Sequence, residues 1–289
     1  NRKDLTHQDS LILSSWEAPD APPLLALYAE PYLGGVKLFI HVPAVSERLN
    51  IGNKLDKWLQ EQSEATCLGN SWINLLPDTL LNRSRFVVNE INYAITLELF
   101  IDKDGVSKDW QFSLSKIKPK AIINNTHLDL IRNRKPKART IPIKLKPIKN
   151  YISQLETIIH GTRLLSINLK SHGSIEFENT ITELENLNDH KYENPGITYK
   201  AWMPKLNEYD ANSIVNTISR AANLIWNIHH TSLNIPGIYL SSAHLENTNI
   251  NDIIKSAVIL NTKVELNEQG IINLKDFIQC LTDNPNQKI

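Results

Sequence analysis

The sequence is poor in the features that mark secreted and membrane proteins. Its 289 residues include only two cysteines, Cys67 and Cys280, which cannot form a disulfide framework and suit a reducing cytoplasm. No apolar run reaches the roughly 18 residues of a membrane-spanning helix, and the start lacks a signal-peptide pattern. We therefore expect a cytoplasmic protein with no membrane partner. Because the single methionine is Met203 and the chain starts at Asn1, we also expect a piece of a longer protein.

Neither sign of charge is in excess, since Lys and Arg total 31 and Asp and Glu also total 31. This balance excludes a basic field over the whole molecule, so any nucleic-acid binding must use local patches. The sequence also lacks a Gly-rich phosphate loop, a zinc-ligand spacing and a Gly-x-Ser-x-Gly elbow. The common motifs for nucleotide loops, zinc sites and serine hydrolases are therefore missing.

Periodic apolar residues predict strand pairs first and helices later, which is typical of the α+β class. The turn residues Asp102 to Gly105 separate two long alternating segments and predict a hairpin. The predicted strands are residues 36–42, 93–101 and 106–117, with a second hairpin formed by 162–169 and 174–179. The predicted helices are residues 52–63, 212–228, 249–260 and 273–281. We expect a mixed or antiparallel sheet flanked by helices.

The strongest predicted helix, residues 212–228, has one apolar stripe and a cap at Asp210 or Asn212. The stripe consists of Ile214, Ile218, Ala221, Ala222 and Ile225. We expect this stripe to face the core.

Basic residues concentrate in two places, and both have two interpretations. Residues 131–149 hold eight Lys and Arg, three Pro and no acid. They are either a solvated linker or charged edge strand, or a segment that contacts phosphates, although it lacks aromatics for base stacking. Lys116, Lys118 and Lys120 alternate, which predicts three ammonium groups on one strand face, either solvated or facing phosphates. The candidate RNA-binding residues are Lys116, Lys118, Lys120, Arg132, Arg134, Lys135, Lys137 and Arg139, within a basic run that extends to Lys149.

Several fragments occur in an order that resembles the catalytic domain of the ribonuclease II family, the RNB domain of 3'→5' exoribonucleases. They are RKDLTHQDS (2–10), LALYAE (25–30), IHVPAVSERLNIGNKLDK (40–57), INLLP (73–77), NSIVNTISRAANLIWNI (212–228) and IPGIY (235–239). The resemblance implies a single RNB-like domain over residues 1–289. It also implies that the cold-shock-like modules before this domain, and its C-terminal Ser-Pro-Ile-Arg segment, lie outside the chain.

The resemblance implies an acidic metal site that this sequence does not match. The family holds its metal ions with an Asp, five residues and then Asp-x-Asp-Asp, because Mg²⁺ prefers oxygen ligands. These positions fall on Trp16, Pro22, Leu24 and Leu25. Glu17 and Asp20 are the only nearby acids, and they are weak catalytic candidates. We therefore expect no metal site and no cofactor, and we expect Leu24 and Leu25 to pack where carboxylates would repel one another.

Other positions that the resemblance marks as functional have also changed. Ala44 replaces the aspartate of an Ala-Asp-Val-Ser passage, and Cys67 replaces an aromatic residue that stacks on the substrate base. Asn216 and Thr217 replace two helix glutamates. These changes affect the chemical positions while the apolar framework is retained.

Three hypotheses about function follow. The first is a ribonuclease II-family pseudoenzyme that retains at most RNA or protein binding. The second is an active exoribonuclease that hydrolyses single-stranded RNA with Mg²⁺ held by acids such as Glu17 and Asp20. The third is a structural or partner-binding domain without an RNA role, which the neutral charge balance and Cys67 favour.

Overall fold

The computed structural model describes residues 1–16, 21–62, 64–68, 71–134, 141–172, 174–177, 202–235 and 247–259. Strands occupy β1 Lys3–Asp4, β2 Leu11–Leu13, β3 Ala26–Tyr32, β4 Gly35–Pro43, β5 Thr66–Leu68, β6 Ser71–Ile73, β7 Asn92–Ile101, β8 Ser107–Ile117, β9 Ala121–Ile123, β10 Ile175–Phe177 and β11 Trp202–Pro204. Helices occupy α1 Lys54–Gln62, α2 Asp78–Ser84, α3 Asn125–Arg132, α4 Ile152–Ser171, α5 Ala211–Ser232 and α6 Asn247–Ile259. Two 3-10 helices span Val45–Arg48 and Ile143–Tyr151.

A seven-stranded sheet in the order β1-β8-β7-β4-β3-β2-β9 forms the centre of the fold. Strands β2, β3, β4, β7 and β8 all pair antiparallel with their neighbours in this order, and β4 lies beside β7 although β5 and β6 come between them in the chain. The outer strands β1 and β9 pair parallel with β8 and β2. The sheet is therefore mixed and flanked by helices, as the sequence predicts.

The predicted hairpin of β7 and β8 is confirmed, with its turn at Asp102 to Gly105. The Asp102 carboxylate accepts hydrogen bonds from the backbone N–H groups of Asp104 and Val106, both at 2.9 Å. Gly105 has a φ of +81°, a left-handed conformation that favours glycine. Local polar contacts and one glycine thus determine this turn.

The main core lies between one face of the sheet and helices α4 and α5. Apolar side chains of β3, β4 and β7 alternate toward this face, as expected for strands with one face against helices. The helices contribute Leu155, Ile158, Ile159, Leu164 and Leu165 from α4 and Ile214, Ile218, Ala221 and Ile225 from α5. Ala222 packs at the edge of this core, so the predicted stripe of α5 is confirmed.

The cap of α5 is also confirmed, because the Asp210 carboxylate accepts a hydrogen bond from the Ser213 N–H at 2.7 Å. The predicted helices at 52–63 and 249–260 correspond to α1 and α6. The predicted helix at 273–281 lies outside the described residues. Along the helices that the structure describes, none is both long and apolar enough to cross a membrane.

The predicted hairpin of 162–169 with 174–179 is wrong. Residues 162–169 belong to α4, which begins at Ile152 and buries apolar side chains with helical spacing along its length. β10 pairs parallel with β11 rather than with residues 162–169, and residue 179 lies outside the described residues. Over only eight residues, a run rich in apolar side chains does not distinguish a buried helix from a buried strand.

Candidate functional site

Trp16 lies at the position where the resemblance expects the first metal-binding aspartate. It follows β2, and its ring packs edge-on against Trp72 of β6, with ring centroids 4.9 Å apart. The hydroxyl of Ser14 donates a hydrogen bond to the carbonyl oxygen of Trp16 at 3.2 Å. An indole offers no oxygen ligand to Mg²⁺, so this position takes part in aromatic packing.

The other three acid positions, Pro22, Leu24 and Leu25, lie on the segment that leads into β3. All three side chains are half-buried. Leu25 packs against the main core, and Leu24 packs against a smaller cluster that includes Ile12 and Phe39 on the opposite face of the sheet. The expectation that these leucines pack is confirmed.

A cation is fixed beside this segment. The guanidinium of Arg85, which follows α2, donates a hydrogen bond to the backbone carbonyl of Ala21 at 2.6 Å. Ala21 is buried and immediately precedes Pro22. The loop that would present carboxylates to a metal ion thus meets a permanent positive charge of the protein itself.

The described residues do not fit a bound Mg²⁺ at the family's metal positions. Pro22, Leu24 and Leu25 offer no side-chain oxygen, although Mg²⁺ requires oxygen ligands. Within the described ranges, no three His, Cys, Asp or Glu side chains group as metal ligands would. The weak candidates Glu17 and Asp20 lie outside those ranges.

The other changed positions lie in or next to regular elements of the fold. Ala44 is buried before the 3-10 helix at Val45–Arg48, and Cys67 lies directly across from Trp72 in the β5–β6 hairpin. In α5, Asn216 is exposed, whereas Thr217 is buried and donates a hydrogen bond to the Ser213 carbonyl at 3.0 Å. Thr217 thus satisfies its hydroxyl within the helix.

The prediction of three ammonium groups on one strand face is wrong. β8 ends at Ile117, so it carries Lys116, whereas Lys118 and Lys120 lie in the connection to β9. The backbone N–H of Lys120 donates to the Ser10 carbonyl at 2.8 Å and so begins the contact of this connection with β2. Since Pro119 follows Lys118, the strand ends where the peptide lacks a donor.

The basic run is only partly described. Arg132 is exposed at the end of α3 and Arg134 is half-buried two residues later, whereas Lys135, Lys137 and Arg139 lie outside the described residues. The described part from residue 141 enters a 3-10 helix whose Leu145 and Ile148 belong to the core. The edge-strand interpretation is therefore wrong for this part.

The second face of the sheet carries buried polar groups that serve the fold. The side chain of Glu98 on β7 is 1% exposed and lies 3.1 Å from the Lys37 ammonium, and Lys3 also contacts its carboxylate. His41 on β4 is buried, with its Nδ1 2.8 Å from Thr96 Oγ1. Burial lowers the pKa of His41 to about 3, so the imidazole is neutral at pH 7.

Sequence reasoning missed a pocket of about 680 Å³ at the end of β4, β7 and β8. Its lining includes Arg48, Arg83, Arg85 and Lys116, and only Lys116 was a candidate from the sequence. The three arginines come from the 3-10 helix at Val45–Arg48 and from the end of α2. They form no run along the chain, so the sequence gives no signal for them.

These features define a mixed-sheet α+β domain in which residues 21–25, the packed loop, occupy the expected metal site. Residues 2–289 match the sequence profile described as the RNB domain. The chain therefore belongs to the RNB family, and it is an exoribonuclease-like domain of that family.

One curated relative is ribonuclease R of Aquifex aeolicus (strain VF5). It is 26% identical over 179 residues, which cover 61% of this chain and 24% of the relative. The chain thus spans about a quarter of that protein's length.

Solved structures show the same fold. A Mycoplasma genitalium RNase R, in complex with ribose-methylated single-stranded RNA, has a TM-score of 0.76 and 18% identity; the match covers 98% of this chain and 42% of that one. Yeast Ssd1, described as a pseudonuclease, has a TM-score of 0.61 and 15% identity, covering 92% of this chain and 31% of that one. The RNB fold thus occurs both in an RNA-bound RNase R and in a pseudonuclease.

Proposed function

We propose that this chain is a catalytically inactive RNB-family domain that retains binding of single-stranded RNA. The observation that carries the proposal is the packing of Trp16, Leu24 and Leu25 at positions where the resemblance expects metal-binding acids. We further propose that residues 1–289 act as one domain and need no cofactor. Such a domain holds an RNA strand without hydrolysing it.

The loss of hydrolysis follows from charge. Metal-dependent phosphodiester cleavage needs ions that orient a water molecule and neutralise charge on the phosphate. The described residues at the acid positions supply neither oxygen ligands nor negative charge, and Arg85 contributes a positive charge beside them. A divalent cation would be repelled by Arg85 and would lack side-chain ligands among the described residues of this segment.

RNA binding is supported by the basic residues and by the fold. The candidates Lys116, Lys118, Lys120, Arg132 and Arg134 are exposed or half-buried. Lys135, Lys137 and Arg139 extend the same basic run along the chain. The RNase R structures with single-stranded and double-stranded RNA show that this fold accommodates RNA in that protein.

The test mixes the chain with single-stranded RNA labelled at its 5' or 3' end, with Mg²⁺ or Mn²⁺, at two salt concentrations. We expect binding that weakens as salt increases, because phosphate contacts release counterions. We expect no stepwise shortening of either label. Gel separation of the products and fluorescence anisotropy measure the two effects.

The double variant E17Q/D20N is the matched control, because it removes both acids of the sequence segment 16–25. Under the proposal it binds RNA as the natural chain does, and neither protein shortens it. Shortening from the 3' end that disappears in E17Q/D20N would instead establish an active exoribonuclease. If RNA is neither bound nor shortened, the domain is structural and the proposal fails.

A further inference from the structure

The pocket of about 680 Å³, here called the arginine pocket, adjoins the packed loop through Arg85, whose guanidinium donates to the Ala21 carbonyl, and it is lined by three separate parts of the chain. Arg48 comes from the 3-10 helix after β4, Arg83 and Arg85 come from the end of α2, and Lys116 comes from β8. Its volume of about 680 Å³ falls within the range of small-ligand sites, which is roughly 300–1,000 Å³. The pocket can therefore enclose a molecule larger than a simple ion.

Positive charge dominates the lining. Glu47 is the one acid among the lining residues, and its carboxylate forms an ion pair with Arg2. Asp4 lies beside Lys116 as its partner across β1 and β8. No carboxylate of the described residues lies within 4.0 Å of the charged nitrogens of Arg48, Arg83 or Lys116. Three cations thus face the pocket without an ion-pair partner in that part of the chain.

The walls hold the Arg85 guanidinium in place and add an apolar surface. Arg85 is held by the Ala21 carbonyl, and Ser84 donates to the Leu80 carbonyl at 2.7 Å within α2. Phe86, Ile91 and Tyr93 line the same cavity, and the last two are more than half exposed. A ligand with an anionic group and a flat apolar group would match this combination.

We propose that the pocket binds a phosphate monoester carried by a nucleoside, either as a free nucleotide or as the phosphorylated end of an RNA strand. The arginine forks and Lys116 would hold the phosphate oxygens, since guanidinium geometry matches phosphate. The base and sugar would lie along Ile91 and Tyr93. The proposal does not depend on the proposed RNA binding by the basic run.

The first experiment measures binding of AMP and of adenosine to the full 289-residue chain by isothermal titration calorimetry. We expect AMP to bind at least tenfold more tightly than adenosine. Because the second proton of a phosphate monoester leaves near pH 6, AMP affinity should rise between pH 5 and pH 7. It should also fall with added salt.

Variants identify the pocket as the place of binding. R83E should weaken AMP binding by about tenfold or more, as expected when a hydrogen bond to a charged group is lost. K103E is the matched control, because Lys103 is exposed in the β7–β8 turn and the charge change is the same. R48A is a second pocket variant, and thermal unfolding verifies that all three proteins are folded.

The source of the phosphate is distinguished with two short RNAs that differ only in a 5'-phosphate or a 5'-hydroxyl. Tighter binding of the phosphorylated RNA, lost in R83E, assigns the pocket to an RNA end. A preference for AMP without this difference assigns it to a free nucleotide. The proposal is overturned if AMP binds no better than adenosine, or if K103E weakens binding as much as R83E does.

These experiments distinguish failure of the pocket proposal from failure of the RNA-binding proposal. A chain that binds AMP through Arg83 but does not bind RNA supports the pocket and contradicts the RNA-binding proposal. If the natural chain and R83E bind RNA equally and AMP is not preferred to adenosine, the RNA-binding proposal is supported and the pocket proposal is contradicted.

Discussion

His41 is enclosed by β3 and β7, next to Ala26 and Thr96 in the strand register. Its Nδ1 is paired with the Thr96 hydroxyl, whereas its Nε2 has no hydrogen-bond partner among the residues that the structure describes. Protonation would place a charge in this interior, so burial lowers the pKa of the imidazole to about 3. In the unfolded chain the pKa returns to about 6.5.

This difference predicts a pH dependence of stability. Between about pH 3 and pH 6.5 the unfolded chain binds a proton at His41 that the folded chain does not, so the free energy of unfolding rises with pH across this window. Within this window the free energy of unfolding should rise by about 1.4 kcal/mol per pH unit, and the contribution from neutral His41 is fully present above about pH 6.5. Urea unfolding at pH 5 and pH 7.5 measures it.

The control for this effect is H41Q, which lacks the titrating group. Its free energy of unfolding should change less between the two pH values than that of the natural chain. Equal changes in both proteins would assign the pH dependence to other residues. Carboxylates titrate in both proteins, so the difference between them isolates His41.

At this scale the sequence predicts packing better than it predicts charge clusters. Leu24 and Leu25 occupy positions where the family has acids, so the sequence predicts that they pack, and they do. The arginine pocket was not predicted, because Arg48 and Arg83 are 35 positions apart and meet only through the fold. Clusters formed by distant residues leave no local pattern.

Among the elements, the turn between β7 and β8 is held against α4. Gly105 has a φ of +81°, and a Cβ atom there would lie 1.9 Å from the Leu164 carbonyl oxygen. Gly105→Ala should therefore lower the free energy of unfolding by about 3 kcal/mol or more, from left-handed strain and a backbone clash together. Chemical denaturation measures the loss.

Gly52 provides a matched control, because its φ is +82° and a Cβ there would have nothing within 4 Å. Gly52→Ala should cost only the left-handed strain, about 1 kcal/mol. Similar losses in both variants would mean that the turn can move away from α4. A larger loss at Gly105 establishes a tight contact between turn and helix.

The two long helices show why the sequence predicts α5 correctly but predicts a strand within α4. α5 has a capping aspartate and one apolar stripe with helical spacing, so its period is visible in the sequence. α4 is buried against β3, β4 and α5 over much of its surface, so its apolar residues do not leave one clear polar face. A helix covered on several sides resembles a buried strand in a short window.

For the whole molecule, the balance of 31 basic and 31 acidic residues leaves RNA binding to local segments. Substituting Lys135, Lys137 and Arg139 together with Ala should reduce the dependence of log affinity on log salt by about 2. This follows from a slope of about 0.7 for each phosphate contacted on a single strand. Anisotropy titrations at four salt concentrations measure the slope.

A triple Ala variant of Lys57, Lys103 and Lys108 changes the net charge by the same amount at exposed positions elsewhere. Its slope should equal that of the natural chain. If both variants reduce the slope equally, the RNA responds to total charge rather than to the basic run.

The parallel pairing of β2 with β9 also affects how the protein is made. Leu13 pairs with Ile123, so a ribosome adding about 5–20 residues per second completes the partner strand roughly 5–20 s after β2. During that interval the outer edge of the nascent sheet presents the apolar Leu11–Leu13 strand without a neighbour. Translation that stalls before Ala121 would leave this edge open to other chains, and β9 closes it only when synthesis proceeds.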